Sequence, residues 1–595
     1  MAEKSRPSWS EKSVLDVKGK VFAARREELA SLMILIGRLT NAPLTDTAAL
    51  SGLIAFIEHA LALHRTLTTA LTAAQTLSVR SGGIGAVSEE LAGIGHRLMD
   101  AVALVLDAVK EGPCRGMSNH PAVAAWRRYA ALTAHTRFSA EESRVTGPLA
   151  QLYSHLRAGL KVRLTGGGTG RMLSFANVQS VLKNTDDLRV RSRVFGAANA
   201  WFAENAVPFA DLLNAVTGAA VNRMQACGMT ALDFSLKREG LPLAAFDAMI
   251  SAVREAAPVS RRALRAGCRV LQAAGFAGPS AAAFPVSALE APYPLEGGSP
   301  ALADFHSASE SVMASYARFC PEAARFMDEE LTGGWLEARS LSSADSGAWC
   351  RDLPAEGAVA LFADYQPTDA RGFELAHTFG EAWLRKCLQA LPSGAREVSE
   401  TVCEIAARLG SEALLAHLMK TAPSGAVYWL ALRRTVVNLL WLPFRSDLTE
   451  AIYAARRTRF LSVSELKRLT REAWKKWFAE SVDGTDEFIW AAKAHFYQPR
   501  LPHHDFQYVF GFLAAQPLLT RLTVAGETAT GADYREFLTD CGRLPLTELF
   551  AKHLEADITD RTFWGAAVRS ALKPAQRAAD FFADAFGPDL SIKDQ

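Results

Sequence analysis

The sequence predicts a predominantly α-helical protein of two lobes, with one small β-sheet in its second half. Apolar residues recur at helical spacing from about residue 29 to 228, and helical patterning resumes at Phe373 and continues towards the C-terminus. Between these regions, short segments with aromatic or β-branched residues predict strands at 334–339, 346–350 and 357–363. A chain of 595 residues with 49% hydrophobic composition can bury two substantial cores.

Composition and charge argue against several classes of protein. Lys plus Arg number 65 and Asp plus Glu 63, and the formal charge of +2 gives no reason to expect nucleic acid or an anionic membrane as partner. Residues 1–20 lack the apolar core of a secretory signal. The apolar run 425–444 contains Arg433 and Arg434 and ends at Pro443, which predicts a buried helix rather than a membrane span. Eight cysteines without a CxxC pair fit reduced thiols, so we expect a cytoplasmic protein.

The segment with the most chemical character is 362–381, whose pattern predicts a strand, a loop and a helix. On that helix His377 and Glu381 are four residues apart, and Glu374 precedes His377 by three. All three side chains therefore share nearly one face and are potential metal ligands. Taken alone, the same residues also fit an exposed, charged helix face.

A second helix, predicted over 399–419, carries Glu400 and Glu404 one turn apart. It would supply further carboxylates if it packed against the first helix. Together with Glu374 and His377, these residues resemble the Glu-x-x-His pattern that holds paired iron or manganese in helical bundles. The sequence leaves open whether the two helices meet.

The 362–381 segment resembles the active-site region of the oligoendopeptidase F and thimet oligopeptidase family of zinc metallopeptidases. Tyr365 and Gln366 match the family's aromatic-glutamine pair, and 375–381 (Leu-Ala-His-Thr-Phe-Gly-Glu) stands where the family has Leu-Ala-His-Glu-x-Gly-His. Further motifs follow in family order: Ser-Gly-Ala-Trp at 346–349, Glu-Ile-Ala at 404–406, the stretch 490–497, Phe-Gln-Tyr at 506–508, and 534–559.

The resemblance implies the fold and the domain organisation. It implies a mainly α, two-lobed helical metallopeptidase fold with a deep central channel and a small β-sheet beside the active-site helix. We expect residues 1–230 to form an N-terminal helical lobe and residues 231–595 a peptidase-like lobe that carries the altered metal motif. The channel of such a protein would admit short peptides as partners, with no role for nucleic acid or membrane.

The departures from the family motif concern the metal and the general base. In the family two histidines and a glutamate bind zinc, and the glutamate after the first histidine activates a zinc-bound water. Thr378 stands at that general-base position, and a threonine hydroxyl does not accept a proton near neutral pH. Glu381 replaces the second histidine, so the implied metal ligands are His377, Glu381 and Glu404. Additional carboxylate shifts the metal preference of a site from zinc towards harder ions. If a divalent metal binds, we therefore expect either the family's zinc or a harder ion, iron or manganese.

On the opposite side of the cleft, the resemblance assigns stabilisation of the oxyanion to His495 and Tyr508. Phe506 replaces a tyrosine of the family pattern, and the connection between His495 and Tyr508 is longer than usual. It includes His503 and His504, which we expect to lie half-exposed in a loop; the alternative is that they are new ligands or catalytic groups.

Peptide contacts are expected at Gly347, Ala348, Tyr365 and His504. The Ser-Gly-Ala-Trp strand lines the family's cleft, and its backbone pairs with the backbone of the substrate. A peptide would therefore bind to Gly347 and Ala348 as an added strand.

Three functions fit these residues. The leading hypothesis is a diverged, oligoendopeptidase F-like protein that binds oligopeptides and whose zinc-dependent hydrolysis is lost or much reduced. The second is an active metal-dependent oligopeptidase with a His/Glu/Glu site, in which Glu374 or Glu400 acts as the general base. The third is a repurposed, carboxylate-rich metalloenzyme.

Overall fold

The computed structural model describes residues 6–77, 84–134, 140–164, 171–276, 283–295, 302, 304–339, 347–366, 368–498, 502–524 and 531–586. Within these ranges the chain is mainly helical, as the sequence predicts, and the strands form three small sheets. Ser346 of the Ser-Gly-Ala-Trp motif lies outside the described residues.

Helices dominate both halves of the chain. The first twelve are α1 (Lys20–Thr40), α2 (Thr47–Leu77), α3 (Ile84–Ala108), α4 (Pro121–Thr133), α5 (Ala140–Ala158), α6 (Phe175–Asn184), α7 (Leu188–Glu204), α8 (Ala206–Ala226), α9 (Ala231–Glu239), α10 (Leu243–Ala273), α11 (Phe305–Ala317) and α12 (Pro321–Thr332). The remaining eleven are α13 (Asp369–Leu388), α14 (Ser393–Arg396), α15 (Glu400–Thr421), α16 (Gly425–Val436), α17 (Leu442–Arg456), α18 (Val463–Phe478), α19 (Ile489–Ala492), α20 (Phe506–Val524), α21 (Gly531–Cys541), α22 (Leu546–Leu554) and α23 (Arg561–Phe586).

The predicted small sheet forms directly before α13. It consists of β4 (Leu336–Arg339), β5 (Trp349–Leu353) and β6 (Ala358–Asp364) in the order β4-β6-β5. β6 is central, pairs parallel with β4 and antiparallel with β5, and is buried along its whole length. Its apolar sequence is typical of a strand that is covered on both faces. The strand therefore anchors the start of α13 in the core.

Four shorter strands were not predicted. β1 (Lys161–Leu164) and β2 (Arg171–Ser174) pair antiparallel within the region predicted to be helical. β3 (Phe284–Pro285) and β7 (Val482–Asp483) pair in parallel across almost two hundred residues of sequence. Two- and four-residue strands carry too little periodic pattern to be recognised locally, and the β3–β7 pair exists only because packing brings its halves together.

The described buried apolar residues form two large cores and a small third cluster around Phe234. Helices α1 to α4 enclose one core, which also includes Leu353, Ala358 and Ala360 from the sheet. The other core runs from Ala125 to Phe582 and includes buried residues of α7 and α8. The division between the two large cores falls near residue 125, and the expected lobes 1–230 and 231–595 stay a prediction.

The apolar run 425–444 forms buried helices, but the prediction that it ends at Pro443 is wrong. A π-helical turn, Val437–Trp441, joins α16 to α17, and the helix continues to Arg456. Pro443 lies in the first turn of α17, where a missing N–H is tolerated because the widened turn already interrupts the regular hydrogen-bond ladder.

Helix α2 is long and apolar enough to cross a membrane by length and composition. In the fold it is instead a core helix that packs between α1 and α3 and against β5. Its Thr69 hydroxyl donates to the backbone oxygen of Asp352 on β5 at 2.9 Å.

Three glycines let α13, α15 and α20 approach closely. A Cβ at Gly380 on α13 would lie 2.3 Å from the backbone oxygen of Ala406 on α15, and one at Gly410 on α15 would lie 2.4 Å from the backbone oxygen of Ala376. On α20, a Cβ at Gly511 would lie 2.6 Å from the backbone of Glu404. These contacts are shorter than any side chain permits, so the helix positions depend on glycine.

We expect Gly380→Ala to destabilise the protein by about 1–3 kcal/mol, because the added methyl group must push α13 away from α15. The midpoints of thermal and urea unfolding measure this effect. The matched control is Gly196→Ala on α7, where a Cβ meets no atom within 4 Å; there the change should be neutral or stabilising, since alanine favours the helix. Equal effects of the two substitutions would contradict the close packing at Gly380.

Candidate functional site

Helix α13 is buried except along one polar stripe. Glu374, His377, Glu381 and Arg385 are half-buried, while most of the intervening side chains are buried in the core. Spacings of three, four and four residues place these four side chains on one face. Arg385 lies in the last turn, where its positive charge also complements the helix dipole. This stripe is the part of α13 that remains available to a ligand.

Helix α15 brings Glu404 to the same place. The Nε2 atom of His377 lies 3.6 Å from Oε1 of Glu404, a separation that one bound ion can bridge. Glu404 is only 7% exposed. The structure thus joins two of the three predicted metal ligands across the α13–α15 contact.

Both carboxylates of the predicted metal site are already bound by arginine. Arg385 donates to Oε1 of Glu381 from Nε at 3.0 Å and from a terminal nitrogen at 2.5 Å. Arg408 donates from Nε to Oε2 of Glu404 at 2.9 Å. Each arginine follows its glutamate by four residues, the favourable order on a helix. The sequence analysis missed both arginines, although this spacing was a signal that could have found them.

The ligand atoms do not form a zinc site as arranged. Protein zinc sites use at least three protein ligands. In the described part of the chain, the ligand atoms of His377, Glu381 and Glu404 do not all lie within 4.8 Å of one another. The carboxylate of Glu381 turns to Arg385 instead. The three predicted metal ligands therefore do not fit the zinc ion that the resemblance implies.

The electrostatics of the site favour neutral His377. Burial and the neighbouring Arg408 lower the pKa of His377 to about 4, although Glu381 and Glu374 act in the opposite direction. Burial also raises the pKa of Glu404, and Arg408 opposes that rise. Burial acts to lower the pKa of Arg385, but Glu381, Cys403 and Cys350 together outweigh it and raise that pKa above its usual value.

The position of the general base is inert. Thr378 is buried at 3% exposure, and its hydroxyl donates to the backbone oxygen of Glu374 at 2.9 Å. The carboxylate of Glu374, one of two alternative bases, is paired with Arg371 and accepts the Ala348 N–H at 3.3 Å. The other alternative, Glu400, is exposed in the first turn of α15.

The residues expected at the oxyanion side join the same surface. The guanidinium of Arg408 lies over the ring of Tyr508, 5.7 Å from its centroid. Nε2 of His504 lies 2.9 Å from the Tyr508 hydroxyl oxygen, and the His504 and His495 rings stack with centroids 5.4 Å apart. An unbroken series of contacts thus connects His377 through Glu404 to the C-terminal histidines.

The paired histidines, both expected to lie half-exposed in a loop, differ in burial. His503 is 2% exposed, with Nε2 3.5 Å from the hydroxyl oxygen of Ser446 and 3.8 Å from a carboxylate oxygen of Glu450. His504 is half-buried and reaches Tyr508. The two neighbours point into different surroundings because α20 begins immediately after them, at Phe506.

The strand edge beside α13 is partly free. Alternate residues of an antiparallel strand direct both backbone groups to the same edge, so Ala348 and Cys350 share the outer edge of β5 with Asp352. Thr69 occupies the oxygen of Asp352, and Glu374 occupies the N–H of Ala348. Beyond these two contacts, Gly347 is exposed at the start of this segment, whereas Cys350 is only 4% exposed.

Tyr365, expected to contact peptide, lies in the core. Its ring is 1% exposed and packs edge-on against Phe305, and its hydroxyl donates to the backbone oxygen of Leu302 at 3.4 Å. In this position Tyr365 supports the turn between β6 and α13 rather than the cleft surface.

Known structures share this fold over nearly the whole chain. A candidate peptidase from Chlamydophila abortus matches with a TM-score of 0.71 at 16% identity, covering 98% of this chain and 100% of that chain. PZ peptidase A with an inhibitor matches with a TM-score of 0.72 at 14% identity (92% and 96% covered), and oligoendopeptidase F from Enterococcus faecium with 0.64 at 14% identity (96% and 100% covered). No protein-family model and no curated sequence matches the chain. The chain therefore has the oligoendopeptidase F fold, as the sequence motifs predicted.

Acidification should destabilise the protein through His504. Burial, Arg445, Arg238 and His503 lower the pKa of His504 to about 4, whereas an unfolded histidine titrates near 6.5. Between these values the unfolded chain binds the proton that the folded chain rejects, so stability falls as pH falls from about 6.5 towards 4. We expect the loss in melting temperature between pH 7 and pH 5 to be smaller in His504→Gln than in the wild type. The exposed His155 provides the control: His155→Gln should leave the slope unchanged, and equal slopes in all three proteins would contradict the burial of a neutral His504.

Proposed function

We propose that this protein binds short peptides in an oligoendopeptidase F-type cleft and does not hydrolyse them by zinc catalysis. The proposal rests on one observation above all: arginine side chains bind both carboxylates that a metal would need. Arg385 holds Glu381, and Arg408 holds Glu404. The internal guanidinium groups supply the positive charge that zinc would otherwise supply to these carboxylates.

Displacement of these arginines by a metal is unfavourable for two reasons. A metal at His377 and Glu404 would have to break the contact with Arg408, and removing one partner of a buried ion pair costs about 3–5 kcal/mol. The freed guanidinium would then repel the divalent ion across a few ångströms of partly buried space. The pairing with arginine therefore disfavours metal binding at His377 and Glu404.

Hydrolysis would also lack the family's base, and one of the two alternative bases is engaged. Thr378 donates its only proton to a backbone oxygen, and the carboxylate of Glu374 is engaged by Arg371. Loss of a positioned base typically costs about 10²- to 10⁴-fold in rate. This also weakens the alternative of an active His/Glu/Glu peptidase and that of a Glu374-x-x-His377 iron or manganese centre.

The surface nevertheless suits a peptide. The half-buried stripe of α13 and the Tyr508–His504 pair offer hydrogen-bond donors and acceptors beside the free edge of β5. A short extended chain can add to that edge beside Gly347 and Ala348, as an added strand does in other peptide-binding proteins. All eight cysteines are free thiols, which accords with the cytoplasmic compartment proposed for such a binder.

Restoring a zinc site should require removal of an arginine as well as repair of the motif. We expect Thr378→Glu with Glu381→His to bind zinc only weakly, because Arg408 still holds Glu404. Adding Arg408→Met frees Glu404, so the triple variant should bind zinc stoichiometrically and show peptide hydrolysis above the wild type. Elemental analysis for zinc, iron and manganese, with calorimetry and a fluorogenic peptide assay, measures these outcomes.

The matched control for the zinc experiment is Arg468→Met in the same double variant, because Arg468 pairs with Glu472 at the same spacing on the exposed face of α18. It should add no zinc affinity. Stoichiometric zinc, iron or manganese in the wild-type protein, lost on Glu404→Ala, would instead support an active or repurposed metal site.

Peptide binding should depend on alternate backbone N–H groups of the peptide. We expect a mixed library of five- to nine-residue peptides to contain ligands detectable by calorimetry. N-methylation of a bound peptide at the residue facing β5 should weaken binding about tenfold, whereas N-methylation one residue further should have little effect, because neighbouring N–H groups point to opposite edges. Failure of every peptide in the library to bind would remove the peptide-binding proposal while leaving the fold intact.

A further inference from the structure

A second recess lies beyond the end of the polar stripe. A cavity of about 540 Å³ opens between α2, α3 and α4 on one side and β5, α13 and α14 on the other. Its size lies within the range of about 300–1,000 Å³ that is usual for small-molecule sites. Segments far apart in the sequence form this cavity, so no local sequence motif predicts it.

The charged lining of this cavity is strongly biased towards arginine. Arg65, Arg351, Arg385 and Arg396 line it, against Glu397 as the one carboxylate in the lining. A lining with this excess of guanidinium groups creates a positive potential that attracts anions.

Two of the four arginines have carboxylate partners and two do not. Arg65 is paired with Glu397 and lies 3.9 Å from a carboxylate oxygen of Asp352. Arg385 is paired with Glu381, as described above.

Arg351 and Arg396 are the arginines that lack a carboxylate partner. Arg396 donates from Nε to the backbone oxygen of Leu391 at 2.6 Å, and Arg351 is exposed on β5. Neither makes an ion pair with a carboxylate in the described part of the chain. Their guanidinium groups are therefore available to an anion.

The arginines are close enough to affect one another. Burial lowers the pKa of Arg65 to about 10, and the positive charges of Arg385, Arg351 and Arg396 add to this effect, while Asp352 opposes it. A cluster of like charges that lowers the pKa of an arginine is stabilised when an anion enters it.

The rest of the lining combines polar side chains with an apolar wall; the polar ones are His64, Thr68, Thr69, His96, Tyr129 and Ser393. Leu61, Met99, Val102 and the ring of Trp126 face the cavity. The indole N–H of Trp126 is already bound to the Ser393 hydroxyl at 3.0 Å, so this ring offers mainly its apolar surface. A pocket of this kind suits a ligand with one charged end and one apolar end.

We propose that this cavity is a binding site for a small organic oxyanion, a carboxylate or a phosphate ester attached to an apolar group. Arg351 and Arg396 bind the oxyanion through charge-assisted hydrogen bonds, and the apolar wall around Trp126 covers the rest of the ligand. The site shares Arg385 with the polar stripe of α13, but none of Gly347, Ala348, Tyr365 and His504 lines it, so it does not depend on the peptide-binding proposal.

Arg385 connects the two sites. It lines the cavity and also holds Glu381 on the polar stripe. An oxyanion in the cavity competes with Glu381 for the same guanidinium, so a ligand in one site changes the charge balance of the other.

The test uses three probes with a common apolar ring. Hippurate carries a carboxylate, phenyl phosphate carries a phosphate ester, and hippuramide is the uncharged analogue of hippurate. We expect one or both anions to bind the full-length wild-type protein in calorimetry, more tightly than hippuramide and with an affinity that falls as salt rises. The stronger of the two anions identifies the oxyanion class.

Single substitutions distinguish binding in this cavity from nonspecific attraction of the anion to positive charge on the protein. Arg351→Met and Arg396→Met should each weaken binding of the anion about tenfold or more, with circular dichroism confirming the fold, and Arg351→Lys should recover part of the loss. The control is Arg254→Met, which removes an exposed arginine of α10 outside the cavity and should leave binding unchanged. Binding of neither anion beyond hippuramide, or equal losses in the Arg254 and Arg351 variants, would overturn the proposal.

Discussion

The close approach of α13 and α15 is the contact on which the rest of the site depends. Gly380 and Gly410 place the backbone of each helix against a backbone oxygen of the other, and this spacing lets His377 reach within 3.6 Å of Glu404. Gly511 repeats the arrangement between α15 and α20 and brings Tyr508 to the same surface. A side chain at any of these glycines would separate the groups that form the cleft wall.

Within that frame, arginine decides the chemistry. The fold presents carboxylates on adjacent helices, and such carboxylates need positive charge when they are partly buried. Arg385 and Arg408 supply it from one turn further along the same helices. The charges that would otherwise destabilise the helix pair are therefore compensated within the two helices.

The polar stripe of α13 and the arginine-lined cavity are neighbours because Arg385 belongs to both. The stripe begins beside the strand edge at Ala348 and ends at Arg385 in the wall of the cavity. Burial keeps the histidines of the cleft neutral near pH 7, with pKa values of about 4 for His377 and about 3 for His495. The cleft thus offers neutral hydrogen-bonding groups, whereas the cavity offers positive charge, and the two surfaces suit different ligands.

The sequence by itself determined the helical class, the small sheet before α13, and the placement of His377 and Glu381 on one face. These features follow from local periodicity and from motifs, which need no knowledge of distant contacts. The Glu-to-Arg spacings were also present in the sequence, but such pairs are weak on an exposed helix and strong only when burial excludes water. Only the tertiary structure decided that Glu381 and Glu404 bind arginine, that Tyr365 is buried, and that distant helices enclose an arginine-lined cavity. Each of these three features depends on which segments of the chain pack together. That packing decides which side chains are shielded from water, and no single segment determines it.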